Sequence, residues 1–442
     1  MSLQAQVEDR IAQTVRWGFG HALPKAAIAG SARNGDLHGR LVMDTADSDE
    51  APLELFRQIR EQGPLHRAKY AYVTASQAVV KEVLTSSDVR AGVELGAGSG
   101  PLGRLTGWAA RKAPLGPLTP PSLLVTEPPD HTRYRKLVTR VFSVRAVQGL
   151  RARTEEIAAG LLDDLAADAA HPVELVGRYC AQLPVTVIAE ILGVPAHERD
   201  RVLRFGTGAA PSLDLGLGLG EFRDVEANLA EFDDWLGQHI EDVRRHPGDD
   251  LLSQLVAARD DEGGGLTDAE LRSTAGLVLA AGFETTVNLL GNGIALLDRH
   301  PDQLARLREQ PDLWANAVDE VLRLDPPVLL TGRTVVRDTE FSGMRVPRGA
   351  VVTTLLAGAN RDPEVFTDPD RFDVGRANAA EHVSFSSGRH YCLGAALARM
   401  EGEVGLRAIF DRFPDLTLEP GAGRRTTRIL RGYAELPARL KG

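Results

Sequence analysis

The longest apolar stretch of the sequence places the strongest restriction on how this chain folds. From Ser273 to Leu297 there is one charged residue, Glu284, in 25 positions. The residues Thr267–Glu270 before it have the pattern of a capping box, in which threonine and glutamate side chains satisfy free backbone donors at a helix start. Pro301 follows and cannot continue a helix. The pattern predicts one helix of more than thirty residues, about 50 Å long.

A helix this long and apolar lies either in a lipid bilayer or in a protein interior. Its polar and glycine residues are Thr285, Thr286, Asn288, Asn292, Gly276, Gly282, Gly291 and Gly293. A carboxylate at the midpoint is costly in lipid, so we expect the helix to be buried in protein. The first twenty residues contain acidic residues and no continuous apolar core, so we expect neither a signal peptide nor a membrane anchor.

Charge and cysteine content restrict the partners and the compartment. The 442 residues have a formal net charge of −10, which argues against nucleic acid or an anionic membrane as a partner of the chain as a whole. A local basic patch is compatible with that total. The two cysteines, Cys180 and Cys392, do not make a disulfide scaffold, and a reducing cytoplasm is the simpler setting.

Hydrophobic periodicity divides the chain at about residue 50. Residues 1–50 are rich in glycine and alanine and show little periodicity, so we expect a mobile N-terminal extension. From residue 51 onward helical patterns dominate, with a few short strand-like runs. Residues 91–129 are predicted to be a long irregular loop, and residues 206–220 a second flexible stretch.

The sharpest chemical signal is the segment from Phe385 to Gly394, which reads FSSGRHYCLG. It places Cys392 on a glycine-bearing loop directly before a helical pattern. Backbone N–H groups and the dipole at a helix start stabilise negative charge on sulfur, which suits a metal-bound thiolate. Gly388 and Gly394 allow tight turns close to a flat cofactor. On this pattern alone, a buried free cysteine and a catalytic nucleophile remain alternatives, although no partner histidine is evident.

The same segment contains Phe-x-x-Gly-x-x-x-Cys-x-Gly, with Phe385, Gly388, Cys392 and Gly394 at the fixed positions. It resembles the haem-ligand signature of the cytochromes P450, and the similarity extends from about residue 50 to the end. The resemblance implies that residues 51–442 form a single catalytic domain with a mainly α fold, a long central helix and a small β region. It implies haem b (iron protoporphyrin IX) as the cofactor, with Cys392 as its axial ligand. It also implies a cytoplasmic monooxygenase that inserts one atom of dioxygen into a C–H or C=C bond.

The long helix agrees with the resemblance through the run from Ala281 to Thr286, AGFETT. In the family the matching acid–threonine pair faces the oxygen side of the haem. This implies proton delivery as the role of Glu284 and Thr285, and a cofactor contact for Ala281. A glycine, and a hydroxyl bonded to a carbonyl one turn back, are expected to weaken the helix locally. A polar spot in a core helix is the alternative interpretation.

The resemblance also implies cations that hold the haem propionates. His131 and Arg135 are four residues apart and therefore share one helix face. Both match family positions that contact the propionates, and Arg333 and His390 match the remaining contacts.

A structural network is implied as well. Glu320 and Arg323 match the Glu-x-x-Arg pair of the family, and this pattern alone is weak because it recurs on solvated helices. Arg371, in Pro-Asp-Arg-Phe, matches the second arginine that joins the pair in a buried network. We expect the network to stabilise the core on the haem side without taking part in chemistry.

The partners follow from the resemblance. No flavin or iron–sulfur segment is evident, which implies a separate ferredoxin-type electron donor that is supplied by a NAD(P)H reductase. It is expected to dock near the thiolate, at a basic patch formed by Arg133, Lys136, Arg389 and Arg399. We expect a hydrophobic small-molecule substrate. Its apolar pocket is predicted to be lined by residues 91–127, residues 206–220, Val328, Leu329 and Ile429.

Two other functional classes remain open at this point. A haem protein that carries or senses a ligand without turnover would contain the same cysteine loop. Residues Val93–Gly100 resemble the first motif of methyltransferases that use S-adenosylmethionine, but no strand pattern precedes them and no alternating βα pattern follows. Residues Gly216–Gly220 likewise lack the preceding strand that a dinucleotide site requires.

Overall fold

The computed structural model describes residues 3–43, 51–93, 100–141, 144–168, 170–260 and 263–440. Helices dominate these residues, as the sequence predicts. The α-helices are α1 (Leu3–Trp17), α2 (Leu23–Arg33), α3 (Leu37–Met43), α4 (Ala51–Glu61), α5 (Gln77–Thr85), α6 (Pro101–Ala110), α7 (Asp130–Val141), α8 (Val144–Ala166), α9 (Gln182–Ile191), α10 (Arg199–Ala209), α11 (Leu219–Arg245), α12 (Leu251–Ala257), α13 (Asp268–Arg299), α14 (Pro301–Glu309), α15 (Trp314–Leu324), α16 (Leu356–Ala359) and α17 (Ala395–Arg412). Two π-helical turns, Gly18–Ala22 and Val176–Cys180, precede α2 and α9.

The strands are short and form a small β region. They are β1 (His66–Arg67), β2 (Tyr72–Thr74), β3 (Val89–Ala91), β4 (Val173–Glu174), β5 (Leu330–Val335), β6 (Thr339–Phe341), β7 (Met344–Val346), β8 (Val351–Leu355), β9 (Thr417–Leu418), β10 (Gly423–Arg424), β11 (Tyr433–Glu435) and β12 (Pro437–Arg439). The largest sheet has the order β1-β2-β8-β5-β3, with β2 and β8 parallel and its other pairs antiparallel. A second sheet has the order β4-β12-β9, and β6–β7 and β10–β11 are antiparallel pairs.

The predicted long helix is α13, and the structure confirms its capping box. The hydroxyl of Thr267 accepts from the N–H of Glu270 at 3.3 Å, and the Glu270 carboxylate accepts from the N–H of Thr267 at 2.8 Å. All residues from Thr286 to Leu297 are buried, because α9, α10, α11, α15 and α17 pack around this helix. In the part of the chain that the structure describes, no helix has both the length and the apolar character of a membrane span.

The N-terminal residues form helices α1 to α3, where the sequence suggested an extension without regular structure. Arg16 pairs with Glu226 of α11 at 2.6 Å and donates to the carbonyl oxygen of Ala109 at the end of α6. The indole N–H of Trp17 donates to the carbonyl oxygen of Leu217 at 3.0 Å. A few long-range polar contacts fix these helices, and such contacts leave no periodic pattern in a sequence rich in glycine and alanine.

The two predicted loops are partly helical. Helix α6 interrupts residues 91–129, and the Glu94–Ser99 part of the methyltransferase-like motif lies outside the described residues. In residues 206–220, α10 continues to Ala209 and a 3-10 turn follows at Ala210–Leu213. The residues after this turn contact the N-terminal helices and thereby connect the two regions.

A buried ion network joins α15 to the segment that follows β8, and here one sequence prediction is wrong. Glu320 pairs with Arg323 at 2.6 Å, as predicted, but its second arginine is Arg376, whose Nε lies 3.1 Å from the Glu320 carboxylate. The side chain of Arg371 is exposed, and only its carbonyl oxygen takes part, accepting from both arginines. The chain turns back after Phe372, which brings the later arginine inward.

This network predicts unequal effects for the two arginines. Arg376→Leu removes one partner of a buried carboxylate and leaves the carbonyl oxygens of three residues with fewer donors. We expect a loss of about 3 kcal/mol in the free energy of unfolding. Arg371→Leu, the matched control, should cost less than about 0.5 kcal/mol. Urea unfolding followed by circular dichroism measures both, and equal losses would contradict the assignment of Arg376.

Candidate active site

The cysteine segment closes into a tight loop directly before α17. The N–H of Cys392 donates to the carbonyl oxygen of Phe385 at 2.9 Å. Gly388 has a φ of +67°, and a Cβ at this position would lie 2.6 Å from the carbonyl oxygen of Leu84 in α5. Both its backbone conformation and its close approach to α5 therefore require glycine. Gly394 has an ordinary φ of −86°, and its Cα faces open space.

The two cysteines lie in different environments. Cys392 lies deep among protein atoms and yet has an exposed surface, so it opens on a space inside the protein. Burial raises the pKa of its thiol, whereas the N–H of Gly394 and the charges of Arg135 and Arg399 act in the opposite direction. Cys180 is completely buried, and burial raises the pKa of its thiol far above the usual range. Only Cys392 presents its sulfur to a ligand.

Helix α13 has a polar site at its centre. Ala281 is exposed and Thr285 is partly exposed, although this region of the helix is otherwise well packed. The hydroxyl of Thr285 donates to the carbonyl oxygen of Ala281 at 3.1 Å, which is the predicted bond one turn back. The helix remains α-helical throughout Asp268–Arg299, so this bond does not break it.

Glu284, next to Thr285, has a partner that the sequence did not reveal. Its Oε1 accepts from a guanidinium N–H of Arg425, which follows β10. Glu284 is 3% exposed, and its Oε2 has no hydrogen-bond partner among the described residues. Burial lowers the pKa of Arg425. No short-range pattern relates the two residues, which are 141 positions apart in the sequence.

The β10–β11 hairpin that carries Arg425 is itself fixed by a buried carboxylate. Asp325 accepts from Arg424 at 2.6 Å and from Arg431 at 2.7 Å. Burial alone would raise the pKa of Asp325, but these two arginines lower it to about 2. Arg424 also donates to the side-chain oxygen of Asn292 on α13 at 2.7 Å. The hairpin is therefore attached to α13 at two points.

Two of the four predicted propionate ligands are histidines in contact with each other. The rings of His131 and His390 have centroids 4.5 Å apart. Nε2 of His390 lies 3.2 Å from the Glu127 carboxylate, whereas Nε2 of His131 is buried and has no hydrogen-bond partner among the described residues. Burial, reinforced by His390, lowers the pKa of His131 to about 4, so this ring is neutral near pH 7.

The two predicted arginines lie on different elements. Arg333, on β5, is 4% exposed and donates to the Thr331 hydroxyl at 3.0 Å; within the described residues it has no ion pair. Burial lowers the pKa of Arg333 to about 10. Arg135 donates to the carbonyl oxygen of Tyr391 at 2.6 Å and therefore lies beside the cysteine loop.

Glu127 organises this cluster, and the sequence analysis missed it. Its carboxylate accepts from Nε of Arg389 and from the N–H of Ala91, each at 2.7 Å, in addition to His390. Burial alone would raise the pKa of Glu127, but these hydrogen bonds and charges lower it to about 2. Its position directly before Pro128-Pro129 is the one sequence signal, since it fixes the acid at the start of α7.

A second carboxyl group was also missed. Glu401 on α17 is 1% exposed, and burial raises its pKa well above the usual range. Thr286 of α13 lies beside it. This buried acid is therefore close to the helix segment that carries Glu284 and Thr285.

The predicted basic patch is largely neutralised within the chain. Arg133 pairs with Glu270 at 2.6 Å, Arg389 with Glu127 at 2.7 Å and Arg399 with Asp319 at 2.7 Å. Lys136 is exposed but also has an interaction within the protein. Most of the positive charge of these four side chains is therefore already balanced within the protein.

The predicted pocket residues are only partly on open surfaces. Leu329 is buried in a core cluster with Leu55 and Leu355, and its N–H donates to the carbonyl oxygen of Ile429 at 2.9 Å. Val328 and Ile429 are partly exposed. Leu329 thus belongs to the sheet core and supports the hairpin that carries Ile429.

These groups match the requirements of a haem. The exposed sulfur of Cys392 suits an axial thiolate, and the open space at Gly394 suits close approach by a flat ring. The buried Arg333 without an ion pair and the unpartnered Nε2 of His131 suit anionic propionates, whose burial requires compensating donors. The exposed side chain of Ala281 on α13 would suit an apolar contact with such a ring.

Comparisons with known proteins agree with this arrangement. Residues 222–429 match the sequence profile of the family described as "Cytochrome P450". The chain is 50% identical over 428 residues to a Mycobacterium tuberculosis (strain ATCC 25618 / H37Rv) protein with the provisional name cytochrome P450 140, a match that covers 96% of this chain and 97% of that protein. That coverage includes most of the first 50 residues, since only about 4% of the chain remains unmatched.

Other relatives have named activities or solved structures. The chain is 42% identical over 320 residues to 6-deoxyerythronolide B hydroxylase of Saccharopolyspora erythraea, which covers 72% of this chain and 77% of that protein. The fold is similar to the crystal structure of P450BioI in complex with acyl carrier protein ligated to hexadec-9Z-enoic acid. That likeness has a TM-score of 0.79 at 28% identity and covers 88% of this chain and 98% of the other.

The geometry of the cysteine loop predicts a large effect of one methyl group. Gly388→Ala combines an unfavourable φ with an overlap against the backbone of α5. Gly343→Ala is the matched control, because Gly343 also has a positive φ, +76°, but no atom within 4 Å of the added carbon. We expect the control to lose about 1 kcal/mol of unfolding free energy and Gly388→Ala at least twice that. Equal losses in urea unfolding would show that α5 yields to the new methyl group.

Proposed function

Since this chain belongs to the cytochrome P450 family, we propose that Cys392 is the thiolate ligand of its haem iron. The enzyme is a haem-thiolate monooxygenase. When bound, the haem supplies the redox chemistry by which one atom of dioxygen enters an organic substrate and the other leaves as water, at the expense of two electrons and two protons. The observation that carries the ligand assignment is the exposed sulfur of Cys392 deep in the protein at the start of α17.

We assign haem b as the cofactor. Covalent attachment of haem would need a Cys-x-x-Cys-His motif, which the sequence lacks. His131, Arg333 and His390 are proposed to bind the propionates, and Arg135 to bind from the side of the cysteine loop. Four further residues are proposed to contact the ring and its ligand, namely Ala281, Phe385, Gly388 and Gly394. Residues 51–442 would form the single catalytic domain that holds these groups.

Glu284 and Thr285 are proposed to move protons to the reacting oxygen. Arg425 anchors one oxygen of the Glu284 carboxylate and leaves Oε2 free to exchange a proton. Thr285 donates its hydroxyl hydrogen to Ala281, so the lone pairs of its oxygen remain available to accept a proton donor. The pairing with Arg425 compensates the cost of burying the Glu284 carboxylate.

The electron donor, the compartment and the substrate are proposed from the resemblance together with surface and sequence features. A ferredoxin-type protein would dock near Arg133, Lys136, Arg389 and Arg399. Because three of these residues are paired internally, we expect docking to rely on shape more than on charge. Both cysteines are free thiols, which suits the cytoplasm. The substrate would be a hydrophobic small molecule, since the relative from Saccharopolyspora erythraea is named for hydroxylation of 6-deoxyerythronolide B.

Replacement of the proposed ligand tests the assignment of the sulfur. Cys392→Ser should abolish the red-shifted Soret band of the reduced carbonyl complex, because that band depends on a thiolate bound to iron. Cys180→Ser is the control and should retain the band, since Cys180 is sealed in the core. Retention of the band in the Cys392 variant would remove this residue as the ligand.

Replacement of Thr285 tests the proton path. Thr285→Ala should retain haem, substrate binding and electron uptake, while product per NAD(P)H consumed falls by about tenfold and hydrogen peroxide rises in step. Thr285→Ser keeps the hydroxyl and is the matched control, with coupling near that of the unmodified enzyme. Product, peroxide and NAD(P)H are measured in one assay with a surrogate ferredoxin and reductase. Unchanged coupling in Thr285→Ala would reduce this residue to a structural role.

A further inference from the structure

The exposed apolar side chains of this protein are concentrated on one surface. Five of the large hydrophobic residues that stand out into solvent lie on three helices, α1, α2 and α6. They are Val7 (49% exposed), Ile11 (50%), Leu23 (58%), Leu102 (60%) and Leu105 (39%). We refer to the exposed faces of these three helices as the α1–α2–α6 face. A concentration of this kind on one surface usually marks a site of interaction.

The helices of this face enclose an apolar cleft. It has a volume of about 540 Å³ and is lined by Val15, Phe19, Leu23, Pro24, Ala27 and Ala109, among others. Helix α1 lies along α6. The ammonium group of Lys112 donates a hydrogen bond to the Asp9 carboxylate at 2.9 Å, and Arg16 donates to the carbonyl oxygen of Ala109 at 2.8 Å. Leu23 is one of the exposed side chains and also lines the cleft, and α1 and α6, which carry the other four, lie side by side.

The charge of this face is opposite to that of the rest of the protein. Residues 1–43 and 100–126, which contain these three helices together with α3 and adjoining segments, have eight arginines and lysines and three acidic residues, a surplus of +5 in a chain with a net charge of −10. Arg10, Arg33, Arg104 and Arg111 are exposed and have no ion pair within the residues that the structure covers. The three acids are satisfied internally, since Glu8 and Asp9 bind Lys112 and Asp36 accepts two backbone N–H groups. Four positive charges are thus left for a partner.

The tryptophans show the same asymmetry. Trp17 and Trp108, on α1 and α6, are partly exposed, whereas Trp235 and Trp314 are buried in the core. The indole N–H of Trp17 donates to the carbonyl oxygen of Leu217, and its ring packs against the core cluster that contains Leu217, Phe222 and Leu229. Tryptophan, leucine and unpaired arginine together on helices that lie flat on a surface are typical of contact with the interface of a lipid bilayer.

We propose that the α1–α2–α6 face docks on an anionic lipid bilayer, with the arginines at the headgroups and the leucines at the acyl boundary. We choose a membrane surface as the partner because the face combines dispersed apolar side chains with positive charges that have no ion pair. The same helices hold the loop between α10 and α11, through Trp17 and through Lys25, which donates to Gly216. Docking would therefore place that loop at the membrane. The inference does not depend on the proposed chemistry.

Flotation with lipid vesicles tests the proposal on the haem-loaded, full-length protein. Vesicles of phosphatidylcholine alone are compared with vesicles that also contain phosphatidylglycerol, at low and at high salt. We expect binding to the anionic vesicles only, and weaker binding at high salt. The triple variant Arg10→Gln, Arg104→Gln, Arg111→Gln should weaken partitioning by about fivefold per charge at low salt. Its control, Arg345→Gln, Arg407→Gln, Arg439→Gln, makes the same charge change outside this face and should bind normally.

The apolar part of the face is tested separately. Leu23→Ser, Leu102→Ser, Leu105→Ser should lower partitioning by at least tenfold, whereas Val336→Ser, an exposed apolar residue elsewhere, should not. Lipids with brominated acyl chains should quench the fluorescence of Trp108. That fluorescence is obtained as the difference between the emission of the unmodified protein and that of the Trp108→Phe variant. All substituted side chains except Trp108 are exposed, and an unchanged haem spectrum and circular dichroism confirm folding.

Three results would overturn the proposal. The first is equal binding to neutral and anionic vesicles, or no binding to either. The second is binding that both face variants leave unchanged. The third is self-association of the unmodified protein in light scattering that the leucine variant abolishes, which would make this face an interface with a second copy of the chain.

Discussion

The burial of α13 is the constraint on which the other elements depend. A helix of 32 residues that passes through the interior loses contact with water along most of its length, so each of its polar side chains needs a partner within the protein. Asn292 finds its partners in Arg424 and in the carbonyl oxygens of Asp325 and Arg431. Glu284 finds its partner in Arg425. These two contacts attach the C-terminal hairpin to α13, whereas the buried side chains of Asn288 and Thr274 on the same helix have no hydrogen-bond partner among the described residues.

A series of hydrogen bonds connects the C-terminal hairpin to the N-terminal helices at the surface. Asp214, between α10 and α11, accepts from the N–H groups of Arg428 and Ile429 in the segment that joins β10 to β11. Gly216 and Leu217 then bond to the N-terminal helices. Each of these links is a polar contact between segments far apart in sequence. These contacts connect the N-terminal helices, through the loop and the hairpin, to the arginine that holds Glu284.

The parts of this molecule that the sequence predicts are those fixed by neighbours in the chain. The capping box of α13, the shared helix face of His131 and Arg135, and the glycine turn before Cys392 depend on spacings of at most a few residues. Arg425, Glu127 and Arg376 were missed or misassigned, because their partners come from folding of distant segments. Arg371 and Arg376 are five positions apart, and only the reversal of the chain after Phe372 decides which of them reaches Glu320. The N-terminal helices were missed for the same reason.

Net charge gives a misleading picture of the surface of this protein because it counts paired and unpaired groups alike. In the predicted docking patch, Arg133, Arg389 and Arg399 each face a carboxylate at hydrogen-bond distance, so these side chains contribute little free charge. On the α1–α2–α6 face, by contrast, four arginines have no ion pair in the described part of the chain. Long-range attraction depends on the unbalanced charge, and paired charges contribute mainly at contact. The two surfaces are therefore suited to different partners, one recognised by close fit and the other by its negative potential.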